Sequence, residues 1–513
     1  MSDDARPIVL LAGAAHAHAA EIVRAALVRS FSADATRVRD FGAPTEPEAA
    51  AVAIAPPESA ADELAAFARE GRKLLLLGPL GPRVSELAGL VGTAPARVDE
   101  AETFAPARLE TPFDASPARL VWHGLDSALP ARAFCRFDFE QEWNHQPHGR
   151  ILVGDTPWSL WTAPDAGAAL EVARVEVAGD ARGVAATRLD APDASTLWIG
   201  RPVGPVDGLD WTVVERFFSD HRADELPCWP SWLDSPPGHD GAATFRLDCD
   251  EAVASARPLF ERYRERGVPV SLALLAGLDF SGEDRRLVAD VLAAGGTVLS
   301  HSLRHLPDWG ANLEEARAEA CGSRERLETL FPEAAPVRYA VSPFHQNPSH
   351  AIRAVSETYD ALVTGIVAND PECLIGRAGV LPFAEAPLVS HSQQNMLHGD
   401  CWARQKGSAR AWIESFGSHR RAGALFGYLD HPFSERYAYG WADESQRIAA
   451  HDELLDEILG CEKPWLPSQG QALGHLVCRS RARLRLDPKG RPRALAPEGG
   501  PFAVRFAGAA TAV

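Results

Sequence analysis

Apolar and polar positions along this chain fall into blocks of two kinds. Ile8-Val-Leu-Leu-Ala-Gly13, Ala51-Val-Ala-Ile-Ala55 and Lys73-Leu-Leu-Leu-Leu-Gly78 are short, nearly unbroken apolar runs that close on a small residue. Such runs read as strands buried on both faces. Arg37 to Phe41 is a further strand. His16 to Ser30, Ser59 to Glu70 and Val84 to Leu90 read as helices between them. This alternation, with short loops, predicts a parallel sheet with helices on both faces. From Ile151 to Val203 the pattern changes. Ile151-Leu-Val, Ala169 to Val177, Gly183 to Leu189 and Thr196-Leu-Trp-Ile-Gly are separated by Gly, Pro and Asp, and predict antiparallel strands completing the same domain. Trp211 to Phe218 reads as a helix with Trp211, Val214 and Phe218 on one face. Glu225 to Gly241, rich in Pro, Trp and Gly, reads as a linker.

The second half returns to strand–helix alternation. Predicted strands are Ala243 to Asp250, Val268 to Leu275, Gly296 to Ser300, Arg338 to Phe344, Ala361 to Gly365 and Leu425 to Asp430. A helix running to about Arg266 is expected to bend at Pro258. Gly282 to Ala294, Asn312 to Leu330, Ala351 to Thr358 and Glu444 to Leu459 are further helices. Repeated units of this length predict an incomplete parallel (β/α) barrel, a fold whose strand C-termini carry the site. Arg483 to Leu495 reads as two strands around a Pro-Lys-Gly turn, and Phe502 to Phe506 as a third. The expected division is residues 1–225, 226–470 and a β-rich tail, 471–513.

Composition narrows the function classes. At 513 residues the chain has room for roughly two or three domains. A formal net charge of -19 argues against broad contact with nucleic acid or an anionic membrane. The eight cysteines are scattered with no CxxC pair, which predicts free thiols rather than a disulfide framework or a structural zinc site. The first residues lack the basic start of a signal peptide, and no apolar run reaches membrane-spanning length. The expectation is a cytoplasmic protein.

The polar residues that end the apolar runs carry the chemistry. Ala243-Thr-Phe-Arg-Leu-Asp-Cys-Asp-Glu251 ends in Asp248 and Asp250. Leu299-Ser-His-Ser-Leu-Arg-His305 ends in two histidines four apart. Leu425-Phe-Gly-Tyr-Leu-Asp-His-Pro432 ends on His431. Imidazoles and carboxylates gathered from three strand ends suit a divalent metal with positions left for water and substrate. The other reading is a set of satisfied core polar groups.

In these motifs, their order and their spacing, residues 240–435 resemble the polysaccharide deacetylase family, the NodB-homology domain of carbohydrate esterases. Thr244-Phe-Arg-Leu-Asp-Cys-Asp250 is similar to its first motif, and His301-Ser-Leu-Arg-His305 to its H-S/T-x-x-H motif. Ser342-Pro-Phe344 and Leu429-Asp-His431 are similar to its third and last. The resemblance implies a divalent ion, zinc first, on Asp250, His301 and His305. It implies Asp248 as general base and His431 as the acid that protonates the leaving amine. The reverse assignment of the two acids stays open, because Cys249 between them changes which face each points to. Phe344 N–H is placed at the oxyanion. The third motif ordinarily carries an arginine two residues before its proline; Val341 stands there, Arg338 lies further back, and Arg246 is a replacement near the base. Substrate contacts are placed on Arg246, Pro343, Phe344, His398 and Trp402. The segment from Leu388 to Trp402, with His391, His398 and Asp400, reads as either a surface loop or a substrate lid with Trp402 stacking on a sugar. His345 and His350 are similar candidates for substrate contact, with a structural role as the other reading.

The first half resembles class I glutamine-amidotransferase-like, flavodoxin-like domains. That activity needs a cysteine at a strand-to-helix turn. Pro79-Leu80-Gly81 follows Leu77-Gly78, so this half is expected to be non-catalytic. Gly13-Ala-Ala-His16 reads as a plain turn or a phosphate-holding one, and Glu142 to His148 as a surface loop or one facing a ligand or partner. The expected activity is removal of an N-acetyl group from a carbohydrate or glycan precursor. The alternatives are another linear or cyclic amide hydrolase on the same barrel, or a non-catalytic glycan-binding module.

Overall fold

A computed structural model describes residues 8–43, 50–69, 71–97, 118–123, 129, 131–133, 162–206, 208–364, 377–381, 386–392, 395–397 and 399–513. Two large sheets organise them. The first has nine strands. Five lie parallel, in the order Thr36–Arg39, Ile8–Ala12, Ala50–Ile54, Lys73–Leu77, Ala194–Ile199. Asp180–Ala191, Leu170–Val177, Ala118–Trp122 and Arg132–Ala133 then continue it antiparallel. Ile8–Ala12, Ala50–Ile54 and Lys73–Leu77 are buried along their whole length, as unbroken apolar runs require. The first four of these parallel strands are the ones expected from the sequence. The fifth parallel position is filled by Ala194–Ile199, delivered by a hairpin rather than a strand–helix unit, so the sheet is mixed. Gly13 to His16 forms a short turn, as expected. Glu142 to His148 and Ile151 to Val153 lie outside the described residues.

The second sheet has eight strands. Seven run parallel, in the order Val389–Ser392, Ala361–Thr364, Tyr339–Val341, Val298–Ser300, Val270–Leu274, Ala243–Cys249, Phe426–Asp430. Gly379–Val380 adds an antiparallel edge. The segment after Val389–Ser392 reaches back to the far strand through an isolated bridge between Asn395 and Tyr428. Leu429 N–H donates to Asn395 O at 3.1 Å, and Asn395 Nδ2 donates to Gly427 O at 3.1 Å. Because these strands are parallel, their C-terminal ends lie on one side.

Three expectations need correction. Pro258 does not bend a helix; it starts one, Arg257–Glu265, where its missing N–H costs nothing. Glu225 to Gly241 is not a loose linker. Its Trp229, Trp232 and Leu233 are buried, and Ser231–Trp232 pairs with Ala503–Phe506 in a small sheet. The part after residue 470 is not all β. Gln469–Arg481 is a helix, opened by a capping box between Ser468 and Gln471. Its Ala472, Leu473, Leu476 and Val477 recur at helical spacing and pack on Ala273, Leu299, Val341 and Val363 of the second sheet. The opposite face of that sheet carries the largest core, with Phe245, Leu247, Leu272 and Tyr428.

A buried ion network joins the two sheets. Arg377 forms a two-pronged pair with Glu215, at 2.5 and 2.7 Å, and reaches Asp234 at 3.2 Å. Arg479 meets the same Asp234 carboxylate at 2.5 Å, and Arg29 of the first half donates to Arg377 O at 2.7 Å. No helix among the described residues is long and apolar enough to cross a membrane.

Candidate metal and catalytic site

Four strand ends of the second sheet bring the polar residues together. Ala243–Cys249 delivers Asp248 and, one residue on, Asp250. Val298–Ser300 delivers His301, Tyr339–Val341 leads into Pro343, and Phe426–Asp430 leads into His431. Asp250 Oδ1, His301 Nε2 and His305 Nε2 converge, with ligand atoms within 4.8 Å of one another. Asp250 Oδ1 lies 3.1 Å from His301 Nε2 and 3.6 Å from His305 Nε2; the two Nε2 atoms are 3.1 Å apart.

The two histidines are four apart but not on a helix. They occupy the loop after Ser300, where Ser302 and His305 take left-handed φ values of +66° and +56°. Ser302 Oγ accepts from His305 N–H at 3.0 Å. Buried Glu319 accepts from the N–H groups of Leu303 and Arg304. Asp308, Trp309, Phe344 and His345 also have positive φ, so backbone strain is concentrated around this site.

The donor set fits a cation. His301 Nδ1 lies 3.1 Å from Val341 O, and a carbonyl can only accept, so Nδ1 carries the proton. With Nε2 unprotonated, as cation binding requires, His301 offers a lone pair there, and Asp250 Oδ1 is a buried acceptor with no hydrogen bond of its own. Acceptors this close need a positive charge among them. Burial opposes charge on His301, but Asp248 and Asp250 outweigh it and raise its pKa. Burial, and then the charge on His301, hold His305 down at about 4. Burial disfavours the Asp250 carboxylate, yet the three histidines around it push its pKa well below the usual range.

Asp248 stands apart from this cluster. Arg246 Nε donates to its Oδ1 at 2.5 Å and Nη2 to its Oδ2 at 3.0 Å, with both side chains buried. Burial alone would raise the Asp248 pKa, but Arg246 and His301 lower it, so it is ionised at neutral pH. Arg246 Nη1 also reaches Gln469 Oε1 at 3.3 Å. Arg338 instead pairs with Asp360 near the surface. A guanidinium two residues before Asp248 thus holds the acid, and none comes from the third motif. Cys249 is fully buried in the core and directed at Leu247 O.

On the other side, His431 Nε2 lies 3.7 Å from Asp250 Oδ2. Its backbone is held by Asp430 Oδ1, which accepts from His431 N–H at 2.8 Å, and by Arg447, which donates to His431 O at 2.6 Å. Pro343 opens a short turn, and the half-exposed Phe344 ring meets His305 with centroids 4.5 Å apart.

Sequence reasoning missed Tyr437. Its hydroxyl donates to Asp250 Oδ2 at 2.8 Å, and its ring stacks on His431 at 4.4 Å and 14°. Tyr439 follows beside both rings. Burial and the Asp250 charge raise the Tyr437 pKa far above its ordinary value, so it stays a donor. The aromatic pair six and eight residues after His431 was the available signal. Gln469, behind Arg246, gave none beyond the capping box.

The lid reading is not supported by the described residues. His391 lies inside Val389–Ser392, buried, donating Nε2–H to Leu425 O at 3.2 Å. Trp402 packs on Trp441, centroids 5.4 Å apart, against the main core. His398 lies outside the described residues. His350 donates to the carbonyls of Asp308 and Gly310, a structural role.

No protein-family model matches the sequence, and no curated protein sequence matches it. Solved structures do. A family 4 carbohydrate esterase from Streptomyces lividans is 12% identical, over 51% of this chain and 100% of its own, with a TM-score of 0.30. Agd3, a carbohydrate deacetylase, is 9% identical over 97% of this chain and 92% of its own, TM-score 0.41. Puue allantoinase is 13% identical over 47% of this chain and 92% of its own, TM-score 0.35. The chain is similar to solved polysaccharide and carbohydrate deacetylases at low identity, and its function is argued from the residues of the site themselves.

Proposed function

We propose that this protein is a metal-dependent hydrolase that removes an N-acetyl group from a carbohydrate. The observation that carries the reading is the convergence of Asp250, His301 and His305, flanked by the buried Arg246–Asp248 pair and by His431. Two imidazoles and one carboxylate make a set that suits zinc first and leaves positions open. A divalent ion held there supplies Lewis acidity, polarising an acyl carbonyl and acidifying a water molecule.

The chain's own groups do the rest. Asp248, kept ionised and oriented by Arg246, accepts the proton of the attacking water. His431, fixed by its stack on Tyr437 and its backbone bonds, gives a proton to the leaving nitrogen. Water adds to the acetyl carbon, the C–N bond breaks, and acetate and a free amine result. Phe344, left-handed after Pro343, sets its ring against His305 and narrows the acyl site. Tyr437 holds Asp250 Oδ2, the oxygen on the His431 side, leaving Oδ1 to His301 and His305.

Acetate release from acetylated amino sugars, before and after metal stripping and reconstitution, tests the reading. Metal-dependent release supports it. Turnover of cyclic ureides instead of acetylated sugars would assign the site to cyclic amides. Less than about 0.1 metal per chain, with no gain on reconstitution, would leave a binding module.

A further inference from the structure

A second concave site lies in the first half, away from the strand ends just described. The Thr212–Ser219 helix and the residue after it present Val213, Arg216, Phe217 and Asp220 at the spacing of one helical face. These residues face Val172, Arg188 and Leu197 of three adjacent antiparallel strands. Arg188 and Leu197 are cross-strand partners, so they share a face. His221, Arg222 and, from the C-terminal sheet, Arg505 complete the wall. The half-open cavity is about 400 Å³, within the range of small-molecule sites.

The lining is graded. Val172, Leu197, Val213 and Phe217 are buried, whereas the four arginines, Asp220 and His221 are half-buried. Among the described residues, four guanidiniums and one carboxylate line the cavity, in a chain whose net charge is -19. Two of them are engaged by the fold. Arg188 donates to Asp190 at 3.2 Å. Arg222 donates to Glu225 at 2.7 Å and to the carbonyls of Ala191, Pro192 and Ala194. The other two share an acceptor. Arg216 and Arg505 each donate to the carbonyl of Arg421 at 3.3 Å, and Arg505 lies 3.9 Å from Asp220. Burial, and then the neighbouring Arg216 charge, lower the Arg505 pKa against the opposing charges of Asp220 and Glu215.

We propose that this cavity binds an organic anion, a carboxylate or phosphate head on a flat apolar body, with Arg216 and Arg505 gripping the head. The apolar body enters between Phe217, Val213, Leu197 and Val172. Planar guanidiniums suit both oxyanions. The site shares no residue with the proposed hydrolytic centre, so it stands whether or not that reading does.

Isothermal titration of the full chain tests it with 2-naphthoate, 2-naphthyl phosphate and the neutral 2-naphthamide. At least one of the two anions is expected to bind at one site per chain, and which one identifies the head group. The amide is expected to bind at least about tenfold more weakly. Arg505→Gln should weaken the anion at least about tenfold, and Val213→Trp should block it by filling the cavity. Arg493→Gln, on the exposed C-terminal hairpin, should bind as the wild type does. If Arg505→Gln does not fold, Arg216→Gln is the replacement variant, with the same expected loss. Equal affinity for amide and anions would overturn the proposal, as would absence of anion binding or unchanged binding in the folded arginine variant.

Discussion

The two sheets are built alike over their parallel strands, but those strands end differently. In the first, Ile8–Ala12 runs into Gly13, Ala50–Ile54 into Ala55 and Lys73–Leu77 into Gly78. In the second, the corresponding positions hold Asp248 and Asp250, His301, Ser342 and His431. A parallel sheet gathers its strand ends on one side whatever they are. Chemistry appears only where those ends are acids and imidazoles. The first sheet invests its apolar strands in packing, and its cavity lies instead against its antiparallel extension.

The contrast breaks most visibly at the second sheet. His305→Ala should strip the metal and lower turnover by about a thousandfold or more, with circular dichroism unchanged. Asp248→Asn should retain metal and lose turnover by about a hundredfold to ten-thousandfold. Metal analysis of both variants separates ligand from base. Loss of metal from Asp248→Asn would reverse the assignment of the two acids.

At the first sheet the expectation inverts. Leu75→Ala, at a fully buried position, should cost roughly 2–5 kcal/mol in denaturant unfolding and leave kcat of the folded fraction unchanged. The seam between the sheets adds a pH dependence. Burial would raise the Asp234 pKa, but Arg479 and Arg377 bring it down to about 2 from an ordinary 3.8. A depressed carboxylate stabilises the fold above its unfolded pKa, and that stability is lost as pH falls through the folded value. The loss, on the order of 2 kcal/mol, is therefore expected between about pH 4 and 2. In Asp234→Asn that step should be missing from a pH series of unfolding midpoints.

How much of this was legible in the sequence depends on what each feature rests upon. Runs such as Lys73–Leu77 and Ala243–Cys249 announce themselves, because strands buried on both faces need no alternation. The strand-end motifs announced Asp250, His301, His305 and His431 for the same reason: each follows its own apolar run. Arg246 was legible as a neighbour of Asp248, though not as its two-pronged partner. The hairpin that seats Ala194–Ile199 beside Lys73–Leu77, and the return of Ala503–Phe506 to Ser231–Trp232, were not legible. Pairing over such separations leaves no local pattern. The Gln469–Arg481 helix was passed over although its capping box and apolar spacing were present.

Tyr437 gives the finest separation between the two kinds of strand end. Its side chain does two separable things: the hydroxyl donates to Asp250 Oδ2, and the ring lies parallel to His431. Tyr437→Phe removes the first and keeps the second. A donor that orients a ligating carboxylate is commonly worth about ten- to a hundredfold in metal affinity. The phenylalanine variant should therefore bind metal about tenfold more weakly, yet recover near wild-type turnover when metal is in excess. Tyr437→Ala also removes the stack that fixes His431, so excess metal should not restore its turnover. A phenylalanine variant with wild-type metal affinity would make Tyr437 a wall of the site. The end of Phe426–Asp430 would then owe its chemistry to His431 alone, as the end of Val298–Ser300 owes its own to His301 and His305.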